Sequence, residues 1–142
     1  RSADRAAFDA EFSEAGGLAT LQVALEGHDT FVVEAKAATE AYAEAYAALL
    51  ADLAAVPTLF GYATRQDLRH LGGGDWKNVV DLQPAGSQQP SLQRAVADEL
   101  GLYVDKRLQV SAWDDRPLST DQLAYAALDA RLCLDLARAL GT

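Results

Sequence analysis

The chain is poor in cysteine, in histidine and in positive charge, and each shortage closes off a class of function. Cys133 is the only cysteine in 142 residues, so no disulfide frame and no cysteine-based zinc site can form within this chain. A lone thiol in a helical pattern fits an intracellular, reducing compartment, with nucleus, cytoplasm and organelle left undistinguished. The two histidines, His28 and His70, make no zinc spacing with it. No apolar run approaches the roughly 18 residues that a membrane helix needs. The opening "RSADRAAFDAEF" lacks the apolar core of a signal peptide. Twelve basic residues stand against 21 acids, a net charge of −9. That excludes a general nucleic-acid coat protein, which would carry a basic field. It does not exclude an enzyme of nucleic acid, because acids that hold divalent cations are locally far less negative than their sequence.

What is present reads as one domain of α/β type. The length favours a single unit, and half the residues are hydrophobic, enough for an independent core. "RAAFDAEF" alternates as a strand, with Ala7, Asp9 and Glu11 on one face and Phe8 and Phe12 on the other. "GG" at Gly16 and Gly17 turns the chain into "LATLQVAL", and "EGHD" turns it again into "TFVVEA". Three close strands predict an antiparallel meander. "KAATEAYAEAYAALLADLAAV" then predicts a helix ended by Pro57, with Tyr42, Tyr46, Leu49, Leu50 and Leu53 as its core face. "TLFGYA" reads as a buried strand, "TRQDLRHL" as a helix capped by Thr64, "GGGDW" as a loop and "NVVDLQ" as a further strand. "PAGSQQP" is the most loop-like segment. Ser91 caps a helix with Leu92, Val96 and Leu100 inward and Gly101 as its stop. "YVDKRLQVSAWDDRP" is irregular or holds one short helix. Ser119 and Gln122 make a capping box for a last amphipathic helix ending at Gly141. The order β-β-β-α-β-α-β-α-α implies a mixed sheet flanked by helices. There is no internal repeat.

Four acids fall at the edges of these elements: Asp9 and Glu11 on the first strand, Asp67 in the second helix and Asp129 in the last. Tyr125 lies one helical turn before Asp129, on the same face. Two carboxylates on one strand face are unfavourable if buried without counter-charge. Edge exposure removes that penalty, and so does a metal; oxygen ligands suit Mg²⁺ or Mn²⁺. Taken singly, each residue has an ordinary alternative: a D-x-E pair at the surface, a first-turn acid favouring the helix dipole, a solvated helix acid, a core tyrosine.

Together the motifs resemble a family, the DEDD 3′–5′ exonucleases. "FDAEF" matches its strand D-x-E, "GYATRQDLRHL" its second aspartate, and "YAALD" its Y-x3-D. The longer run "DKRLQVSAWDDRPLSTDQLAYAALDA" is similar in its lysine, tryptophan, R-P-L and Q-x-x-Y-A. The family's histidine branch carries His five residues before the last aspartate; here that position is Ala124. The chain is therefore most similar to the tyrosine branch (DEDDy), of ribonuclease D and Werner type, with the mutator-seven-type eukaryotic domain the nearest in flavour.

The resemblance covers nearly the whole chain and implies a ribonuclease H-like fold: a five-stranded mixed sheet of order 3-2-1-4-5, strand two antiparallel, flanked by helices. It implies hydrolysis of phosphodiester bonds from the 3′ end of single-stranded RNA or DNA, with two divalent ions, Mg²⁺ or Mn²⁺. Asp9 would bridge the ions, Glu11 and Asp129 would complete the first ion's site, Glu11 would lie near the terminal 3′ hydroxyl, and Asp67 would support the second ion, partly through water. Tyr125 would orient or help deprotonate the attacking water. The alternative for the same fold is a catalytically silent module for RNA binding or protein interaction; a phosphohydrolase of small esters is a third class.

Other residues read as structural: Trp113 as a core anchor, Cys133 as a buried helix residue, and Phe8, Phe12, Leu18 and Leu21 as sheet packing, with positions near the first strand available to wedge a terminal base. Arg116 has Asp114, Asp115 or a phosphate as partners, and Lys106 a backbone phosphate or solvent. The chain is shorter than typical for the family, with eight residues before Asp9. The acidic surface predicts that flanking domains or a partner supply basic contacts.

Overall fold

A computed structural model describes residues 4–35, 40–72, 75–86 and 89–142. Five strands, β1 (Arg5–Phe12), β2 (Leu18–Leu25), β3 (Thr30–Glu34), β4 (Thr58–Gly61) and β5 (Val79–Asp81), form one sheet. Its order is β3-β2-β1-β4-β5. β2 runs antiparallel to β1 and β3, while β1, β4 and β5 are parallel. This is the arrangement that the motifs imply. Four α-helices accompany it: α1 (Glu40–Ala55), α2 (Arg65–Leu71), α3 (Leu92–Leu100) and α4 (Thr120–Ala139). A single 3₁₀ turn, Arg107–Val110, is the short helix expected before α4. None of the described helices is long and apolar enough to cross a membrane.

The alternation of β1 divides the core into two layers. Ala6 and Phe8 pack with Leu21, Val23, Leu53 and Leu59, against Tyr46, Leu49 and Leu50 of α1. Ala7 packs on the other side with Ala24, Phe60 and the α4 residues Ala130, Cys133, Leu134 and Ala137. The second layer is built largely of alanine. Small side chains on both surfaces let α4 approach the sheet closely, and that closeness decides where Asp129 falls. Burial of Phe8 alone is worth roughly 2–3 kcal/mol.

Two details of the sequence reading change. Tyr42 is 63% exposed and lies outside the core; the inward stripe of α1 begins one turn later, because an alanine-rich helix marks its period weakly. Residues 36–39, assigned to this helix, lie outside the described residues. Thr64 stands at the N-cap of α2 but makes no side-chain cap hydrogen bond. Its hydroxyl instead donates to Asp81 Oδ2 (3.1 Å). The remaining caps agree: Ser91 Oγ accepts from Arg94 N, and Gly101 ends α3 in the left-handed conformation (φ 67°) that glycine adopts without steric penalty.

Candidate metal centre

Each acid is set in place by a local device. β1 presents Asp9 and Glu11 toward α4, two residues apart. Pairing with β2 shifts register between Glu11 and Phe12, an irregularity of the kind that re-aims side chains at sites. α4 begins at a full capping box: Ser119 Oγ accepts from Gln122 N (3.0 Å) and Gln122 Oε1 accepts from Ser119 N (2.9 Å). The same glutamine donates through Nε2 to Ser111 Oγ (2.8 Å) and Ala112 O (3.2 Å), which ties the preceding loop to the helix. Trp113 is buried as expected, and its ring lies 6.1 Å from that of Tyr125. Arg116 braces the loop from outside, donating to Trp113 O and Ala19 O. It also forms an ion pair with Glu34 on β3 (3.3 Å), a partner distant in sequence that neighbouring acids could not suggest.

α2 is aimed by β5. Asp81 accepts from Ala63 N, Thr64 N and Gln83 N, each at 2.9 Å. This carboxylate clamps a turn in which Ala63 takes a positive φ of 54°, uncommon for a residue with a Cβ. At Gly61 a Cβ would meet Phe8 at 2.8 Å and Thr64 at 2.4 Å, so the strand end tolerates no side chain. The sequence reading passed over Asp81, since a capping acid on another strand leaves no local pattern.

One carboxylate oxygen from each of Asp9, Glu11 and Asp129 lies within 4.8 Å of the others. Glu11 and Asp129 are 7% and 4% exposed. At an effective dielectric of 20, two full charges at that distance repel by roughly 3 kcal/mol. The cluster therefore holds either protons or cations. Burial and the charges of Asp9, Asp129 and Asp67 push Glu11 up to about 9. Asp9 and Asp129 share a carboxyl–carboxyl hydrogen bond, and burial raises both. Asp67, also buried, is pushed up to about 8 by burial and then by the charges of Asp9 and Asp81. It faces Asp9 from α2 but stands outside the group of three.

Tyr125 is buried beside them. Among the described residues its hydroxyl has no hydrogen-bond partner, and neither has Asp129 Oδ1. Burial, then the charges of Asp129, Glu11 and Asp9, raise its phenol above the ordinary tyrosine value. Unsatisfied buried oxygens of this kind are rare and call for a ligand, ion or water. An all-oxygen donor set fits a hard divalent cation rather than zinc. Cys133 is fully buried beneath the site, and burial raises its thiol well above normal, which leaves it a core residue.

A sheet of order 3-2-1-4-5 with β2 antiparallel has the ribonuclease H-like fold, and here it carries an acidic cluster between β1 and α4. The chain belongs to the 3′–5′ exonuclease family, whose profile matches residues 2–142. It is 32% identical to the human exonuclease mut-7 homolog over 151 residues, covering 84% of this chain and 17% of that protein. The chain thus spans a small part of that relative. Among solved structures, the Nibbler EXO domain of Aedes aegypti superposes with a TM-score of 0.78 at 23% identity, covering 96% of this chain and 77% of that one. Ribonuclease D of Trypanosoma brucei, solved with the RNA U12, superposes with a TM-score of 0.79 at 22% identity, covering 97% and 55%.

Proposed function

We propose that residues 1–142 act as one metal-dependent 3′–5′ exonuclease domain that hydrolyses single-stranded nucleic acid from its 3′ end. The observation that supports this most is the convergence of three carboxylates within 4.8 Å beside the unpartnered Tyr125 hydroxyl. Asp9, Glu11 and Asp129 would hold one divalent ion, with Asp9 shared and Asp67 supporting a second. When bound, two Mg²⁺ or Mn²⁺ ions would lower the pKa of the attacking water and offset charge on the leaving 3′ oxygen.

The protein's own groups do the positioning. Tyr125, with its hydroxyl beside the acids, would orient the attacking water or help deprotonate it. One helical turn separates it from Asp129, the right distance for both groups to reach the same water. Glu11 closes the other side, near the terminal 3′ hydroxyl. Phe12 follows Glu11 directly and meets His70 of α2 edge-on, ring centres 5.0 Å apart; the pair offers an apolar shelf for the terminal base. On the far side of Tyr125, a shallow cavity shares Val104, Asp105 and Arg107 with a second one that carries Lys106, Arg94 and the 92% exposed Tyr103. Arg94 and Arg107 are ion-paired with Asp98 and Asp105, so Lys106 beside the exposed ring is what this surface offers a phosphate and a stacked base.

The test is digestion of 5′-labelled single-stranded RNA and DNA with Mg²⁺, Mn²⁺ or EDTA, beside Asp9→Ala. A ladder shortening from the 3′ end, metal-dependent and absent in Asp9→Ala, is expected, and it also reports the preferred sugar. A folded, metal-loaded protein that degrades neither polymer would overturn the reading and leave the silent binding module.

A further inference from the structure

The four acids and Tyr125 leave one polar group of the site unused. Gln22 is fully buried on β2, directly opposite Asp9 on β1, while Thr20 lies opposite Glu11. Opposed residues on paired strands share a face, with Cβ atoms about 4.5–5.5 Å apart. Alternation places Ala24 on that face too, and Ala24 packs against Ala130 and Cys133 of α4. Gln22 thus sits between an apolar core layer and the carboxylates. The Thr20 hydroxyl donates to Gln22 Oε1 at 2.6 Å, which satisfies the carbonyl end of the amide. The other end, Nε2 with two N–H donors, has no partner among the described residues.

A buried amide nitrogen without an acceptor is unfavourable, and a leucine or methionine would fill the same volume without that penalty. The feature is explained if the acceptor is available only in the working state. A cation held by Asp9, Glu11 and Asp129 would orient the Asp9 carboxylate opposite Gln22, and a carboxylate offers about four acceptor sites, enough to serve the cation and the amide together. We propose that Gln22 is a positioning residue, held by Thr20, whose Nε2 donates to the Asp9 carboxylate in the cation-loaded site and fixes its orientation. The inference rests on the metal-site reading given above.

The test pairs a shape-conserving double substitution, Thr20→Val with Gln22→Met, with Thr20→Ser, which keeps the hydroxyl. The expected result is a folded double variant that melts at or above the parent in EDTA. Its Mn²⁺ affinity and kcat should both fall by about 10- to 100-fold, the usual cost of losing a group that orients a ligand, with KM for the strand within about twofold. Thr20→Ser should stay near parent in all of these. A double variant with parental Mn²⁺ affinity and parental kcat would overturn the proposal. Should it not fold, the side-chain amide signal of Gln22 in the parent protein decides by NMR: the proposal requires it to shift on Mg²⁺ addition, and an unmoved signal while β1 amides shift refutes it. If the parent protein cleaves no nucleic acid, the exonuclease reading fails by itself, while Mn²⁺ affinity and the amide signal still judge Gln22.

Discussion

Replacing Asp129 by asparagine should make the metal-free protein more stable at pH 8 while abolishing its activity. Asp129 is 4% exposed, and its carboxyl is raised from 3.8 to about 8 by burial, the charge of Asp9 and their shared hydrogen bond. A carboxyl whose folded pKa is raised holds its proton in the folded state while the unfolded chain releases it. Its favourable contribution is complete below the unfolded value and is lost as pH rises from about 4 toward 8. About four units at 1.36 kcal/mol each set an upper bound of about 5–6 kcal/mol. Relaxation of Asp9, which shares the proton, brings the expected difference to about 2–3 kcal/mol. Asparagine is neutral at every pH and can donate through Nδ2 to Asp9, so it keeps the hydrogen bond without the titration.

For a chain of this size about 3 kcal/mol corresponds to a rise in Tm of about 10 °C. The assay is thermal melting in EDTA from pH 5 to pH 8, parent beside variant. The gap should be smallest at pH 5 and widen progressively toward pH 8. Saturating Mg²⁺ should close or invert the gap, because only the parent retains the full ligand set. A variant that melts at or below the parent at pH 8 in EDTA would refute the claim that these acids repel one another in the empty site.

The parent protein in EDTA should lose stability from pH 5 to pH 9, since Glu11, Asp67, Asp9 and Asp129 are all raised; Mn²⁺ should restore it most at the alkaline end, as read by Tm. Tyr125→Phe should lower kcat by roughly 10- to 100-fold with KM little changed, because the ring still packs on Trp113 and only the water-facing hydroxyl is lost. Tyr103→Ala should weaken binding of long strands by about 1–3 kcal/mol without changing turnover of the shortest substrates, measured by anisotropy and by length-dependent kcat/KM. Asp81→Ala should destabilise by about 2 kcal/mol, having removed the acceptor of three backbone N–H groups, and lower activity through a misplaced Asp67; full activity would show that α2 needs no clamp.

The elements legible from sequence were those whose signal is local. β1 alternates cleanly and the capping box of α4 is written within four residues, so the strands and the start of α4 could be read directly, while the five acidic and phenolic positions stood out as a set only through motif resemblance. Strand order came from motif resemblance, because nothing in periodicity says that β1 pairs with both β2 and β4. Asp81, Glu34 as partner of Arg116, and Gln22 opposite Asp9 were not legible for one shared reason. Each acts across the sheet, on a residue 13 or more positions away in sequence, and chain pattern carries no record of which strand will lie alongside. Tyr42 was misplaced for a different reason: alanine on both faces of α1 leaves the helical period with little contrast.

The distribution of unfavourable groups identifies the site more sharply than any single residue type. Most of the buried layer between the sheet and α4 is alanine and leucine, which a folding chain can pack without conflict. Along one strip of it the sequence places three mutually repelling carboxylates, a phenol hydroxyl without a partner and a glutamine amide without an acceptor. Substituting these by apolar residues of similar volume would remove desolvation and repulsion together. Stability alone gives no reason to keep them, and their conflicts share a common remedy. On the proposed reading, divalent cations would relieve the carboxylates, a water between Tyr125 and Asp129 would satisfy the phenol, and Asp9 would accept from Gln22. Cations would thus resolve all of these conflicts at once, whereas protons resolve only the repulsion, which is why the stability measurements in EDTA and in Mg²⁺ bear on function as directly as the digestion does.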